Sequence, residues 1–188
     1  PKFPNYIFAS TRLNFIAIEV NWETNSEFVK VKSYKRFTEI SDELFCSEID
    51  SDNNFWLSSP NKVYYMRINS IDDYQVSEFT AKSGLAESNR YHFFNNNGKL
   101  NILTNKGIFK PVFPKNNLPD SLITFIHDDF WGKGFTKDSA SVQNIIKLSQ
   151  NKYYIHSSQP IFLSIQKNGE IIADTNFLKK ISIENPSY

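Results

Sequence analysis

Residues Asn54–Ile68 read NFWLSSPNKVYYMRI, two aromatic and β-branched runs joined by a short polar turn. Such runs suit strands, and Pro and Asn between them suit a turn, so the stretch reads as a β-hairpin. The chain then writes the same phrase again. LNILTNKGIFKPVF stands at Leu100–Phe113, YYIHSSQPIFLSI at Tyr153–Ile165, and a looser copy, YIFASTRLNFIAIEV, at Tyr6–Val20. Aligned on a small hydroxyl residue, the anchors are Ser10, Ser59, Thr104 and Ser157, with spacings by subtraction of 49, 45 and 53 residues. In three units the next apolar residue follows four positions after the anchor, at Val63, Ile108 and Ile161. The first unit needs one residue more, ending at Phe15.

The copy extends beyond the hairpin. Apolar segments and Asn- or Ser-rich turns precede the last three units: LFCSEI at 44–49, RYHFF at 90–94 and VQNIIKL at 142–148. A looser amphipathic strand follows each unit, at Glu27–Tyr34, Tyr74–Thr80, Ser121–Ile126 and Glu170–Thr175. Four short strands repeated every 40 to 50 residues or so are the mark of a β-propeller. The expected fold is therefore all-β: blades of four antiparallel strands, about four of them or a segment of a larger propeller, in one region spanning 1–188. The first unit has no inner strand before Tyr6. The segment NFLKKISIEN at 176–185 is expected to supply it and close the ring, unless the chain is a piece of a longer protein. The best helical candidate, AKSGLAESNR at 81–90, is broken by Gly84.

Composition agrees with strands and narrows the function. Aromatic residues make up 15% of the 188, and a chain of this length buries roughly 70% of its unfolded surface. A formal charge of +1 builds no field for nucleic acid, and no apolar stretch is long enough to span a bilayer. Cys46 is alone, which excludes an intrachain disulfide; in LFCSEI it reads as a strand residue rather than a nucleophile. DSDNN at 50–54 opens like a calcium loop, but Phe55 and Asn61 stand where that loop needs Gly and Glu, so a turn is expected. His127, Asp128 and Asp129 lack further ligands at metal-binding spacing, and no nucleophile motif such as GxSxG occurs, so neither metal nor cofactor is expected.

The string SEFTAKSGLAESNRYHFFNNNGKLNILTNKGIFKPV at 77–112 resembles the repeat of two-component-regulator propellers. Gly84-Leu85, Asn97-Gly98, Leu100–Thr104 and Gly107-Ile108 fall on that pattern, and Trp56 in DSDNNFWLSSPNKVYYMRI falls on its Trp. The first and last units depart: Tyr154 replaces the Trp, and no Gly follows Ser10 or Ser157 at the usual place. The resemblance implies a ligand-sensing domain of bacterial hybrid two-component sensors or related triple-tyrosine-motif regulators, periplasmic or extracytoplasmic, responding to nutrients such as carbohydrates. Its partners would be an oligosaccharide or other small molecule, adjacent domains of the same protein and a second copy.

In such a fold the turns between second and third strands share one end with the interblade loops, and loops on a rigid scaffold are the usual place for binding. On that end Arg12, Lys62 and Lys106 are expected to form a rim, joined by His127 and Trp131 from HDDFWGKGF at 127–135. Charged donors and an exposed indole suit a sugar. The alternative is that these are solvated loop positions, with Trp131 packed between blades. Function is accordingly expected to be non-catalytic ligand sensing, with a protein-interaction scaffold or a carbohydrate-active enzyme as alternatives.

Overall fold

The computed structural model of the chain describes residues 2–22, 29–114, 118–132, 135, 141–157, 161–165 and 170–174, and of 162 and 165 the backbone alone. These residues form four antiparallel meanders in succession. The first has three strands, β1 (Tyr6–Ser10), β2 (Phe15–Asn21) and β3 (Lys30–Arg36). The second holds β4 (Cys46–Ile49), β5 (Phe55–Ser59), β6 (Lys62–Ile68) and β7 (Tyr74–Phe79). The third holds β8 (His92–Asn96), β9 (Lys99–Thr104), β10 (Gly107–Val112) and β11 (Thr124–His127). The fourth holds β12 (Val142–Ser149), β13 (Lys152–Ser157), β14 (Ile161–Ile165) and β15 (Ile171–Asp174).

The all-β expectation holds, with one correction. Where the sequence suggests a strand over Ser121–Ile126, a single 3-10 turn occupies Asp120–Leu122 and β11 starts at Thr124. The turn directs Asp120 inward, where its carboxylate meets Arg67 of β6 at 2.5 Å. The segment at 81–90 is helical only over Ala81–Ser83. The closing strand at 176–185, the turn at 158–160 and the start of the Glu27–Tyr34 strand lie outside the described residues. No helix among the described residues is long and apolar enough to cross a membrane.

Alternation along the strands explains the opening sequence. Phe55 and Leu57 face the first sheet with Tyr64, Met66 and Ile68. Trp56, Val63 and Tyr65 face the third with Leu100, Ile102 and Phe109. Side chains on a strand point alternately to its two faces, so a strand buried on both reads as an unbroken apolar run. That is why β5 is buried at every residue. The third sheet likewise turns Leu103 and Ile108 toward Ile145, Tyr153, Ile155 and Leu163 of the fourth. Among the described residues, the first and fourth sheets bury one face and leave apolar side chains exposed on the other. Ile7, Val31 and Tyr34 at one end, and Ile146, Leu148 and Ile172 at the other, are exposed.

Hydrogen bonds tie successive sheets along their first two strands and the turns beside them. Cys46 Sγ and Ser58 Oγ donate to the Tyr91 carbonyl at 3.3 and 2.7 Å, and Asn95 Nδ2 donates to the Ile49 carbonyl at 2.9 Å. Tyr153 Oη and Lys147 Nζ of the fourth sheet donate to the side-chain oxygens of Asn96 and Asn97.

The repeated hydroxyl closes the hairpin. Ser59 Oγ–H is shared between the Lys62 carbonyl at 3.4 Å and Asp42 Oδ2 at 3.3 Å, and Thr104 Oγ1 donates to the Gly107 carbonyl at 3.0 Å while accepting from the Lys106 N–H at 3.0 Å. In the first sheet Thr11, not Ser10, makes this bond, to the Asn14 carbonyl at 3.2 Å. Taken from Thr11, Phe15 stands four residues on, and the extra residue of the first unit disappears. The fourth hairpin is one residue longer, because Ile161 pairs with Ile155 whereas Val63 and Ile108 pair with the residue just before the anchor, Ser58 and Leu103. Gly107 has no substitute: its φ is 118°, and an added Cβ would lie 2.2 Å from the Phe135 carbonyl oxygen.

Candidate functional site

A cleft of about 720 Å³ opens at the end of the sheets where first strands turn into second ones. Asp50 and Asp52 border it from the β4–β5 turn, Asn97 and Gly98 from the β8–β9 turn, and Gln150 and Asn151 from the β12–β13 turn. The middle turn is a two-residue hairpin with φ of 54° at Asn97 and 84° at Gly98, the geometry that Asn-Gly adopts most readily. Phe113 and Phe130 are each more than 40% exposed and also line the cleft.

Its polar floor is fixed by hydrogen bonds. Asp128, which caps the 3-10 turn Asp129–Trp131, accepts from the Asn101 amide at 2.8 Å, Lys110 Nζ at 3.0 Å and the Phe130 N–H at 3.4 Å. Asn101 in turn accepts from the Trp131 indole N–H at 3.2 Å. The second sheet has a parallel arrangement. Asp50 accepts from the backbone N–H groups of Asp52 and Asn54 at 3.0 and 2.9 Å, and from the Trp56 indole at 3.3 Å. Behind it Tyr65 Oη accepts from the Asn54 amide at 2.9 Å, and burial, then the Asp50 charge, push its phenol up to about 12. Both carboxylates are thus held by donors, in a cleft that mixes aromatic edges, amides and two lysines, Lys99 and Lys110.

The residues singled out from sequence fall in three places. Arg12 pairs with Glu43 at 2.7 Å on the exposed end of the first hairpin. Lys62 lies against Asp42 at 2.9 Å, Glu78 at 3.2 Å and the Tyr64 ring, and its ammonium is held well above the usual lysine range, first by Asp42. Lys106 and His127 meet in a shallow depression with Gly84 and Phe125. His127 packs against Phe109 with tilted rings, centroids 4.1 Å apart, and its Nδ1 is buried without a hydrogen-bond partner among the described residues. Trp131 is elsewhere, 1% exposed, edge-on to Phe94 and Tyr153 between the third and fourth sheets. The structure therefore brings Lys106 and His127 together and leaves Arg12, Lys62 and Trp131 apart from them.

Sequence reasoning missed Phe113, Phe130, Asn101 and Lys110. A signal for Asn101 was present: it stands three residues before its anchor, where Trp56 stands in the second unit. With that position filled by an amide, Trp131 donates its indole N–H to it from the following loop. Among the described residues no group of three His, Cys, Asp or Glu side chains is placed to hold a metal ion. Burial pushes the Cys46 thiol up to about 11, away from the thiolate form. No protein-family model, curated protein or solved structure matches the chain.

Proposed function

We propose that the four sheets are successive blades of a β-propeller, and that the chain is a non-catalytic ligand-sensing module of a bacterial, extracytoplasmic signalling regulator. Its ligand is a neutral oligosaccharide held in the cleft between blades. The observation that carries this reading is the cleft: about 720 Å³, within the range of small-molecule sites, with the half-exposed Phe113 and Phe130 rings around an amide-rich floor. Aromatic rings cover the C–H faces of a sugar, while amides and lysines meet its hydroxyls.

The blade arrangement is supported by the hydrogen bonds that hold β4 to Tyr91 and β8, and β8 to the fourth sheet. The position of the cleft supports the sensing reading. Its lining comes from three sheets, so a ligand that bridges them favours one relative placement over another, which is what shifting a population requires. The engaged oxygens of Asp50 and Asp128 favour binding over acid–base catalysis.

A thermal-shift screen against neutral oligosaccharides tests the reading. A ligand at a hundred times its Kd adds about 2.7 kcal/mol of stability. Phe113→Ala and Phe130→Ala are expected to weaken that ligand at least tenfold, and Arg12→Ala to leave it unchanged. Absence of any hit alongside a tight protein partner would favour a scaffold instead, and product formation would favour an enzyme.

A further inference from the structure

A second pocket, about 680 Å³, lies along the first strands β4, β8 and β12 at the opposite end of the sheets. Its chemistry differs from that of the cleft. Arg90, His92 and His156 line it together with the amides of Asn89, Gln143 and Asn144, and no carboxylate is among its described lining residues. Glu48, two residues beyond Cys46 on β4, borders a different cleft with Tyr6 and Phe55.

Arg90 is positioned for a ligand rather than for a partner within the fold. Its guanidinium lies 4.5 Å from the centroid of the Phe45 ring, which orients it without neutralising it. The ion pairs that engage Arg12, Lys32, Lys35, Lys62, Arg67 and Lys110 do not include it among the described residues. The adjoining backbone is secured: Ser88 Oγ donates to the Arg90 carbonyl at 2.6 Å, and Tyr91 Oη donates to the Ala86 carbonyl at 2.9 Å. An exposed guanidinium that makes no ion pair among the described residues, beside imidazoles and amides and with no carboxylate in the described lining, suits recognition of an oxyanion.

We propose that this pocket binds the carboxylate or phosphate group of a small molecule, such as an acidic sugar, with Arg90 as the fork and Gln143 and Asn144 as neutral donors. The site is distinct from the cleft above and stands whether or not that cleft takes a neutral sugar.

Isothermal titration with galacturonate oligomers, glucose 6-phosphate, inorganic phosphate and neutral maltose tests it. Binding of one or more anions but not maltose to the pocket is expected, with a loss of at least tenfold in Arg90→Gln and no change in Arg12→Gln. Preference for galacturonate identifies a carboxylated sugar, and preference for the phosphates a phosphoryl group. Gln143→Glu, on an exposed position, places a negative charge in the pocket and is expected to abolish binding; it serves should Arg90→Gln fold poorly. Anion binding untouched by both substitutions, or no anion binding at low salt, would overturn the proposal.

Discussion

Thr104→Val isolates the hydroxyl that closes the β9–β10 hairpin. Valine keeps the shape and branching of threonine, so no cavity forms, and the loss is confined to two hydrogen bonds at 3.0 Å, one to the Gly107 carbonyl and one from the Lys106 N–H. Thr104 is 1% exposed, so water does not replace the hydroxyl on the spot. A backbone donor and acceptor deprived of a buried partner cost about 1 to 3 kcal/mol. Lys106 lies nearer solvent, so the lower half of that range, about 1 to 2 kcal/mol, is expected. At about 2 to 4 °C per kcal/mol for a chain of this size, Tm falls by roughly 2 to 8 °C. Urea denaturation should show a lower midpoint at unchanged m. Ser10→Ala is the matched control, because Thr11 holds the equivalent bond in the first sheet. A loss below about 0.3 kcal/mol in Thr104→Val, or an equal loss in Ser10→Ala, would refute the assignment of the anchor.

Three further outcomes follow from other contacts. Gly107→Ala combines a left-handed φ with a Cβ driven 2.2 Å from the Phe135 carbonyl, and should destabilise by about 2 kcal/mol or more in the same urea assay. Cys46, with its thiol pushed to about 11, should react with iodoacetamide at pH 8 at least tenfold more slowly in the native protein than in urea. Burial acts to raise the Asp42 carboxyl, but hydrogen bonds from Tyr64, Lys62 and Ser59 outweigh it and hold the group below its usual value. Its stabilising contribution is therefore present above the unfolded carboxyl pKa, about 4, and fades as pH falls through the depressed folded value. Asp42→Asn should flatten the acid limb of a Tm-versus-pH curve; an unchanged limb would contradict the assignment.

The hairpins were legible because their pattern is local. A strand buried on both faces has to be apolar at every position, and Asn97-Gly98 supplies two positive φ angles in a row, so both features are written into adjacent residues. The anchor of the first unit was harder. Ser10 and Thr11 both carry hydroxyls, and only the Ser10–Phe15 pairing shows which one spans the turn. Trp131 was read as a candidate sugar platform because it stands in a polar loop. Its burial depends on Asn101, 30 residues earlier, and on Phe94 and Tyr153 of two sheets. The cleft was hidden for the same reason: its borders come from turns about 50 residues apart, and their meeting is a property of sheet packing.

Among the described residues, each apolar cluster is shared between two neighbouring sheets and none belongs to a single sheet. Cooperativity in such a stack runs from neighbour to neighbour. The second and third sheets, gripped on both sides, are the natural last holdouts, and fraying should advance inward from the outer pair. Amide exchange would then be graded along the stack, slowest at β5, β6 and β9, and a cut removing the fourth sheet would strip the cover from Leu103 and Ile108 rather than release an independent unit.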